Sequence, residues 1–262
     1  MTESARLQTD ILTPTCVPVT SDQNRNPEKL ALIIPTLNEA ANIGTVLDHV
    51  RAVLDPVGFA YEIVVVDDDS QDATGAIVQE SAASDPRIRL LVRRGQRGLS
   101  GAVLHGWQNT DAGILGVMDA DLQHPPALLA DLLAAVRSGA DLVIGSRYIQ
   151  GGELGDWNFM RKMISATATM VTLPIQHRGC RAKDPMSGFF MLRAKCIKDV
   201  ALQNAGFKLL LEVLVRAHLR SVREVPISFG LRQGGASKAS FKVAWDYGTL
   251  LLRLYAARFL SW

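Results

Sequence analysis

This 262-residue chain is short of several things, and each shortage narrows what it can be. Its three cysteines, Cys16, Cys180 and Cys196, are too few for a disulfide framework and lack metal-type spacing. That usage fits a reducing compartment. The formal net charge of +2 lacks the basic surplus of a general nucleic-acid binder, so nucleic acid is not an expected partner. The first residues show no charged start followed by an apolar core, as a secretory leader would. No uninterrupted apolar run is long enough to span a bilayer. The glycine fingerprint G-x-G-x-x-G is absent, which excludes the usual dinucleotide site of a dehydrogenase. No Ser/His/Asp order or Cys/His pairing stands out, and His105 and His124 read as structural, so covalent catalysis has no support.

What the chain does have is a long alternation of two patterns. Residues 1–28 are rich in Thr, Pro, Asp, Asn and Gln without sustained periodicity and read as a flexible tail. From Leu30 onward, short apolar runs at Leu30–Ile34, Tyr61–Val66, Ile88–Val92, Ile114–Met118 and Leu142–Ile144 read as buried strands. Helix-length segments lie between them, with apolar residues at three- and four-residue spacing such as Ile43, Val46, Leu47, Val50 and Leu54, or Leu128 to Val136. Strands alternating with helices predict an α/β fold with a mostly parallel sheet covered on both faces. The second half is less regular. An amphipathic stretch from Asn158 to Leu173 stops at Pro174, and Ser187–Leu192 reads as a strand. Phe207–Leu219 reads as a helix, Val222–Ile227 as an edge strand because of Pro226, and Trp245–Trp262 as a final helix.

Polar residues gather where the predicted strands stop. Met118-Asp119-Ala120-Asp121-Leu122-Gln123 ends one apolar run, and Asp119 and Asp121, two apart, can reach one hard cation with Gln123 adding a neutral oxygen. Mg²⁺ or Mn²⁺ held by one or two carboxylates, with phosphate oxygens and water in the other positions, is the usual arrangement for nucleotide chemistry. Pro35-Thr36-Leu37-Asn38-Glu39 and Val66-Asp67-Asp68-Asp69-Ser70 close two other strands, and open α/β sheets bind ligands at that carboxyl edge. Asn and Asp also favour caps and turns, and three successive aspartates need cations or donors nearby. The loop Arg93–Gly101 is basic and glycine-containing, open to phosphate contact or to solvent alone. Arg147, Arg161, Arg232 and Lys238 are long cations whose chemistry suits a diphosphate that is bound and released. Asp184, before Pro185, is a candidate for the acceptor side of a reaction centre or a plain turn cap.

Together these strings resemble the family 2 glycosyltransferases, and among them the polyprenol (dolichyl) phosphate mannosyltransferases. The matching segments are Ile33–Glu39, Val65–Ser70, Met118–Pro126, Ile144–Tyr148, Lys183–Phe190 and Glu224–Ile227, in family order from Leu30 to Lys238. The resemblance implies a GT-A type, Rossmann-like α/β/α sandwich over residues 29–240, followed by an amphipathic helix at 241–262 that could lie on a membrane surface. It implies GDP-mannose as donor, a polyprenyl monophosphate as acceptor, and polyprenyl phosphomannose and GDP as products. Pro35, Leu37, Glu39, Val66, Asp68, Asp119, Ala120, Asp121 and Gln123 fall at donor positions, with Arg232 and Lys238 on a loop closing over the diphosphate. Asp119, Asp121 and Gln123 fall at the metal positions; Arg147, Arg161 and Ser165 at those holding the acceptor phosphate. Asp119, Asp121, Arg147 and Asp184 are then the expected catalytic set. One departure is Leu37, where the family often has Tyr, so a stacking or polar contact to the nucleotide is lost.

The resemblance further implies a peripheral enzyme at the cytoplasmic face of a membrane, and the chain end at Trp262 points to docking on a separate membrane-anchoring protein. Two rivals carry other expectations: a polyprenyl phosphate glucosyltransferase using UDP-glucose, and a non-catalytic nucleotide-binding subunit of a membrane complex.

Overall fold

Strands β2 (Asn26–Thr36) and β3 (Ala60–Asp67) are continuously apolar over Leu30–Ile34 and Ile63–Val66 because helices cover both of their faces there. The computed structural model describes residues 16–18, 25–152, 168–177, 179–203, 208–228 and 241–259. On β2, Leu30, Leu32 and Ile34 pack into one layer with α1 (Ile43–Leu54), α2 (Thr74–Ser84) and α4 (Leu129–Arg137). Ala31 and Ile33 point the other way, toward α3 (Leu99–Gln108) and α5 (Leu209–Arg216). The strand period of two thus divides one continuous apolar run between two cores. In the second core Trp107 of α3 meets Phe190 edge-on, 6.3 Å between centroids.

β4 (Ile88–Val92), β5 (Ala112–Val117), β6 (Leu142–Ser146), β7 (Phe190–Arg193) and β9 (Val222–Pro226) complete the main sheet. Among the described residues its order is β4-β3-β2-β5-β7-β6-β9. All its pairings are parallel except those of β7, which is antiparallel to both β5 and β6. This is the mostly parallel α/β/α sandwich that the strand–helix alternation predicts. The chain moves outward from β2 through β3 to β4, then returns to β5 on the other side of β2, which makes the β2/β5 boundary a topological switch point. β9 is an edge strand, as Pro226 requires.

Part of the expected flexible tail is paired: residues 16–18 and 25–28 are among those described. Cys16–Pro18 forms strand β1, antiparallel to β8 (Ala201–Gln203), and Arg25 donates hydrogen bonds to the carbonyls of Trp107 and Ala112 before β2 begins at Asn26. A three-residue strand whose partner lies far along the chain leaves no local periodicity to read. The final helix α6 (Phe241–Phe259) already includes the four residues before Trp245. It buries Leu254 against Ile175, Leu211 and Val215. The Tyr247 and Tyr255 hydroxyls donate to the carbonyls of Ala168 and Val171 at 2.6 and 2.7 Å. Most of the predicted 158–173 helix lies outside the described residues.

Candidate active site

β2, β3, β4, β5 and β6 all end on the same sheet edge, and β7 begins there, with Phe190 level with Val117 and Ile144. The loops at that edge are tightly bent. Asn38, Asp69 and Leu122 adopt left-handed backbone at φ of 59°, 60° and 59°. Asn and Asp tolerate this region; a leucine there is strained, a condition that clusters at functional sites. Leu122 turns the chain between Asp121 and Gln123, so that the Gln123 N–H donates to Asp121 Oδ1 at 3.1 Å. The loops after β2 and β3 lock together through Asn38 N–H to Ser70 Oγ and Gln71 N–H to Asn38 Oδ1.

Asp119 stands at the wall of a cavity of about 210 Å³ shared with Leu99, Val117, Met186, Gly188, Phe190 and Lys208. Gly188 passes directly beneath its carboxylate: a β-carbon there would fall 2.5 Å from Oδ2. The backbone therefore forms a cradle for this carboxylate that only glycine permits. Asp119, Asp121 and Gln123 offer hard oxygen donors on one short turn, which fits Mg²⁺ or Mn²⁺. Among the described residues no three His, Cys, Asp or Glu side chains form a self-sufficient metal cage. Such a site suits an ion whose remaining positions are filled by phosphate and water. Gly188→Ala is expected to stay folded while losing at least about tenfold in turnover, because the new methyl displaces Asp119. Steady-state rates beside thermal unfolding check this.

Arg147 follows β6, and its guanidinium grips Asp184. Nε and one terminal nitrogen donate to the two carboxylate oxygens, both at 2.8 Å, and the Arg147 backbone N–H donates to Oδ2 at 3.0 Å. Asp184 has no exposed surface. That placement revises its expected catalytic role: it holds Arg147 in position and does not itself face a ligand. Burial lowers the Arg147 pKa, but the Asp184 hydrogen bonds and charge outweigh it, so the guanidinium is raised above its ordinary value.

Two further residues lie in this cluster: His124, which reads as structural in the sequence, and Lys208, which does not stand out there. His124 is buried, stacks on Phe189 at 5.4 Å, and places Nδ1 3.8 Å from Asp119 Oδ2. Burial, helped by Arg147, pulls its pKa down to about 4, so it is a neutral prop at physiological pH. Lys208 opens α5, where it reads as an ordinary solvated lysine before a leucine run; here it lines the Asp119 cavity. Burial, with the charge of Arg147, lowers its pKa to about 8 from the ordinary 10.5. Between those values the unfolded chain keeps a proton that the folded chain has released, so stability rises with pH across that window. Lys208→Met is expected to flatten this rise, which denaturant titrations at pH 8 and 10 would show.

The donor side is less open than expected. The Val66 side chain is fully buried and Ala120 nearly so, so only their main chain can meet a ligand. Asp68 is buried too: the Gly98 N–H donates to Oδ2 at 2.7 Å and the Arg93 guanidinium lies 3.1 Å from Oδ1. Burial nevertheless raises its pKa. Asp67 takes hydrogen bonds from Thr36 and Ser70, so the aspartate run finds the donors it needs. Pro35 is half-buried beside Val66, and Leu37 is 38% exposed at the rim. Glu39 accepts from the Asn42 amide at 2.9 Å and starts α1. Arg93 is thus structural, while Arg94 and Arg97 are exposed. Arg161, Ser165, Arg232 and Lys238 lie outside the described residues.

A family model described as glycosyl transferase family 2 matches residues 31–201, which run from within β2 to the first residue of β8 and include every strand end just described. The chain belongs to glycosyl transferase family 2. Among the members of that family, a dolichol-phosphate mannosyltransferase of Pyrococcus furiosus is 41% identical over 226 residues. The match covers 86% of this chain but 63% of that protein, so the chain spans under two thirds of its length. A dolichol-phosphate mannosyltransferase of Saccharomyces cerevisiae is 36% identical, covering 87% of this chain and 88% of the yeast protein. A crystal structure of glucosyl-3-phosphoglycerate synthase from Mycobacterium tuberculosis, in complex with Mn²⁺, UDP-glucose and phosphoglyceric acid, superposes with a TM-score of 0.63. It covers 88% of this chain and 79% of that one at 16% identity, a likeness of fold, here the GT-A type.

Proposed function

We propose that this chain is an inverting mannosyltransferase that moves mannose from GDP-mannose to a polyprenyl monophosphate, releasing GDP and a β-linked polyprenyl phosphomannose. The observation that carries it is the pairing, on one sheet edge, of an acidic turn and a buried, rigidly held arginine. The first suits a metal–diphosphate, the second a phosphate monoester. The names of the two mannosyltransferase relatives reported above point the same way.

The chemistry asks little of the protein as an acid or base. A phosphate monoester is already anionic at neutral pH, so the nucleophile needs no deprotonation. The enzyme's tasks are to orient that oxygen behind the anomeric carbon and to stabilise charge on the departing diphosphate. Arg147, with Arg161 and Ser165, would hold the acceptor phosphate; Arg232, Lys238 and Lys208 would meet the donor diphosphate. A divalent ion on Asp119, Asp121 and Gln123 would neutralise the leaving group. Asp184 keeps Arg147 aimed, and His124 and Gly188 keep Asp119 in place.

We infer that the work is done at a membrane surface. Among the described residues no helix is long and apolar enough to cross a bilayer. Yet α6 exposes Leu252 at 73% together with Phe259, and the segment that its tyrosines bond exposes Met170 at 71% together with Val171. Arg253 is exposed on the same helix, which suits an anionic interface. Such a chain would sit peripherally at the cytoplasmic face, alone or on a separate anchoring protein.

The test of the donor is a direct competition. Purified protein with polyprenyl phosphate is offered labelled GDP-mannose and labelled UDP-glucose, with and without Mg²⁺ or Mn²⁺. Metal-dependent transfer from GDP-mannose alone is expected. Transfer only from UDP-glucose would overturn the donor and favour the glucosyltransferase reading, for which the exposed Leu37 leaves room.

A further inference from the structure

Glu224 lies on the edge strand β9, level with Ile144 of β6, and has no part in the chemistry above. Each of its carboxylate oxygens accepts one main-chain N–H. Oε2 accepts the Lys183 N–H and Oε1 the Asp184 N–H, each at 3.1 Å. Two successive backbone N–H groups turned toward one point make a small anion site, and here the anion is a side chain from another strand. The hydrogen bonds are charge-assisted on the acceptor side, hence short-ranged and directional.

This contact sits at the start of the segment that runs into β7. Farther along, the same segment is sewn to β6: Ser187 Oγ donates to the Gly145 carbonyl, and the Gly145 N–H to the Phe189 carbonyl, both at 2.8 Å. Glu224 anchors the other end, at the residue whose side chain grips Arg147. Asp184 is therefore held by its backbone from one side while its carboxylate receives three hydrogen bonds from Arg147 on the other. A small rotation about the 183–184 backbone would swing both carboxylate oxygens away from the guanidinium fork, whose geometry tolerates little misalignment.

We propose that Glu224 is a positioning residue for the acceptor side of the reaction, acting through Asp184 on Arg147. The assignment rests on Arg147 holding the acceptor phosphate, as proposed above. Glu224 touches no substrate. It sets the backbone that sets the carboxylate that sets the arginine.

The test uses Glu224→Gln, which keeps the size but turns an amide N–H₂ toward one of the two backbone donors. Acceptor kcat/KM is expected to fall by about tenfold to a hundredfold, the loss typical of displacing a reactive group by about an ångström, while donor KM stays within about twofold. In an Arg147→Lys background the same change is expected to cost little more, since both act on one contact. A signature independent of turnover comes from NMR: the Arg147 Nε–H resonance, held downfield by Asp184, moves toward that of an exposed arginine in Glu224→Gln. A merely structural glutamate would lower donor and acceptor parameters together, in step with thermal stability, and would add fully to Arg147→Lys; either result overturns the proposal. An unmoved Nε–H resonance overturns it as well. If the parent chain transfers no mannose yet the resonance still moves, the coupling stands and the mannosyltransferase reading falls.

Discussion

Asp121→Ala is expected to fold like the parent chain and to transfer mannose roughly a thousandfold more slowly, the upper range for removing one group that stabilises transition-state charge. Asp121 is half-buried on its turn and accepts a hydrogen bond from the Gln123 N–H. Losing that bond costs stability by only about 1 kcal/mol. The loss in rate has a different origin: with Asp119 the one carboxylate left on the turn, a divalent ion that would neutralise the departing diphosphate would be held less tightly. Thermal unfolding and steady-state rates on the same preparation separate the two. Retained turnover in a folded variant would remove Asp121 from the centre.

The second large effect is on stability. Asp184→Asn leaves the Arg147 guanidinium buried without its counter-charge, and breaking a buried pair from one side typically costs about 3–5 kcal/mol. The amide also turns a donor toward a donor. A denaturant titration should therefore show a midpoint shift far beyond that of a surface change, together with loss of acceptor affinity. The paired replacement Arg147→Met with Asp184→Leu is the informative control. Removing both charges together should recover most of the stability, since apolar residues of similar volume often replace a buried ion pair at no cost. It should restore no activity. A double variant that regains turnover would show that the pair serves the fold alone.

How much of this was legible beforehand depends on the physics of each part. The core strands were readable because a sheet covered on both faces makes Leu30–Ile34 and Ile63–Val66 continuously apolar, and such runs survive in sequence as they are. The strand-end carboxylates were readable for the same reason, as abrupt breaks in apolar runs. The antiparallel insertion of β7 between β5 and β6 was not, because a four-residue apolar strand carries no mark of direction or neighbour. Nor was β1, whose pairing depends wholly on β8.

Within the site, residue type was a better guide than role. Asp184 was noticed as a carboxylate near Pro185, but only the fold shows that its oxygens are spent on Arg147. Asp68 was noticed as one of three aspartates, while its engagement with Arg93 and Gly98 crosses 25 to 30 residues of sequence. Lys208 went unremarked because a lysine before a helix is ordinary at the surface, and Glu224 stood out only as the first residue of a matching segment, with no role of its own. Their contacts come from distant segments: the cavity beside Asp119, and the backbone of Lys183 and Asp184. Gly188 was readable only as a strand residue, since the carboxylate it makes room for arrives from another strand.

The most direct measurement is product analysis. Purified protein is incubated with GDP-mannose labelled in the sugar, a short-chain polyprenyl phosphate in detergent, and Mg²⁺ or Mn²⁺, and the organic phase is examined by NMR. The account predicts that label enters the lipid as a mannosyl phosphodiester with inverted, β anomeric configuration. An α-linked product, label released as free mannose, or no lipid-borne label from a folded, donor-binding protein would contradict it.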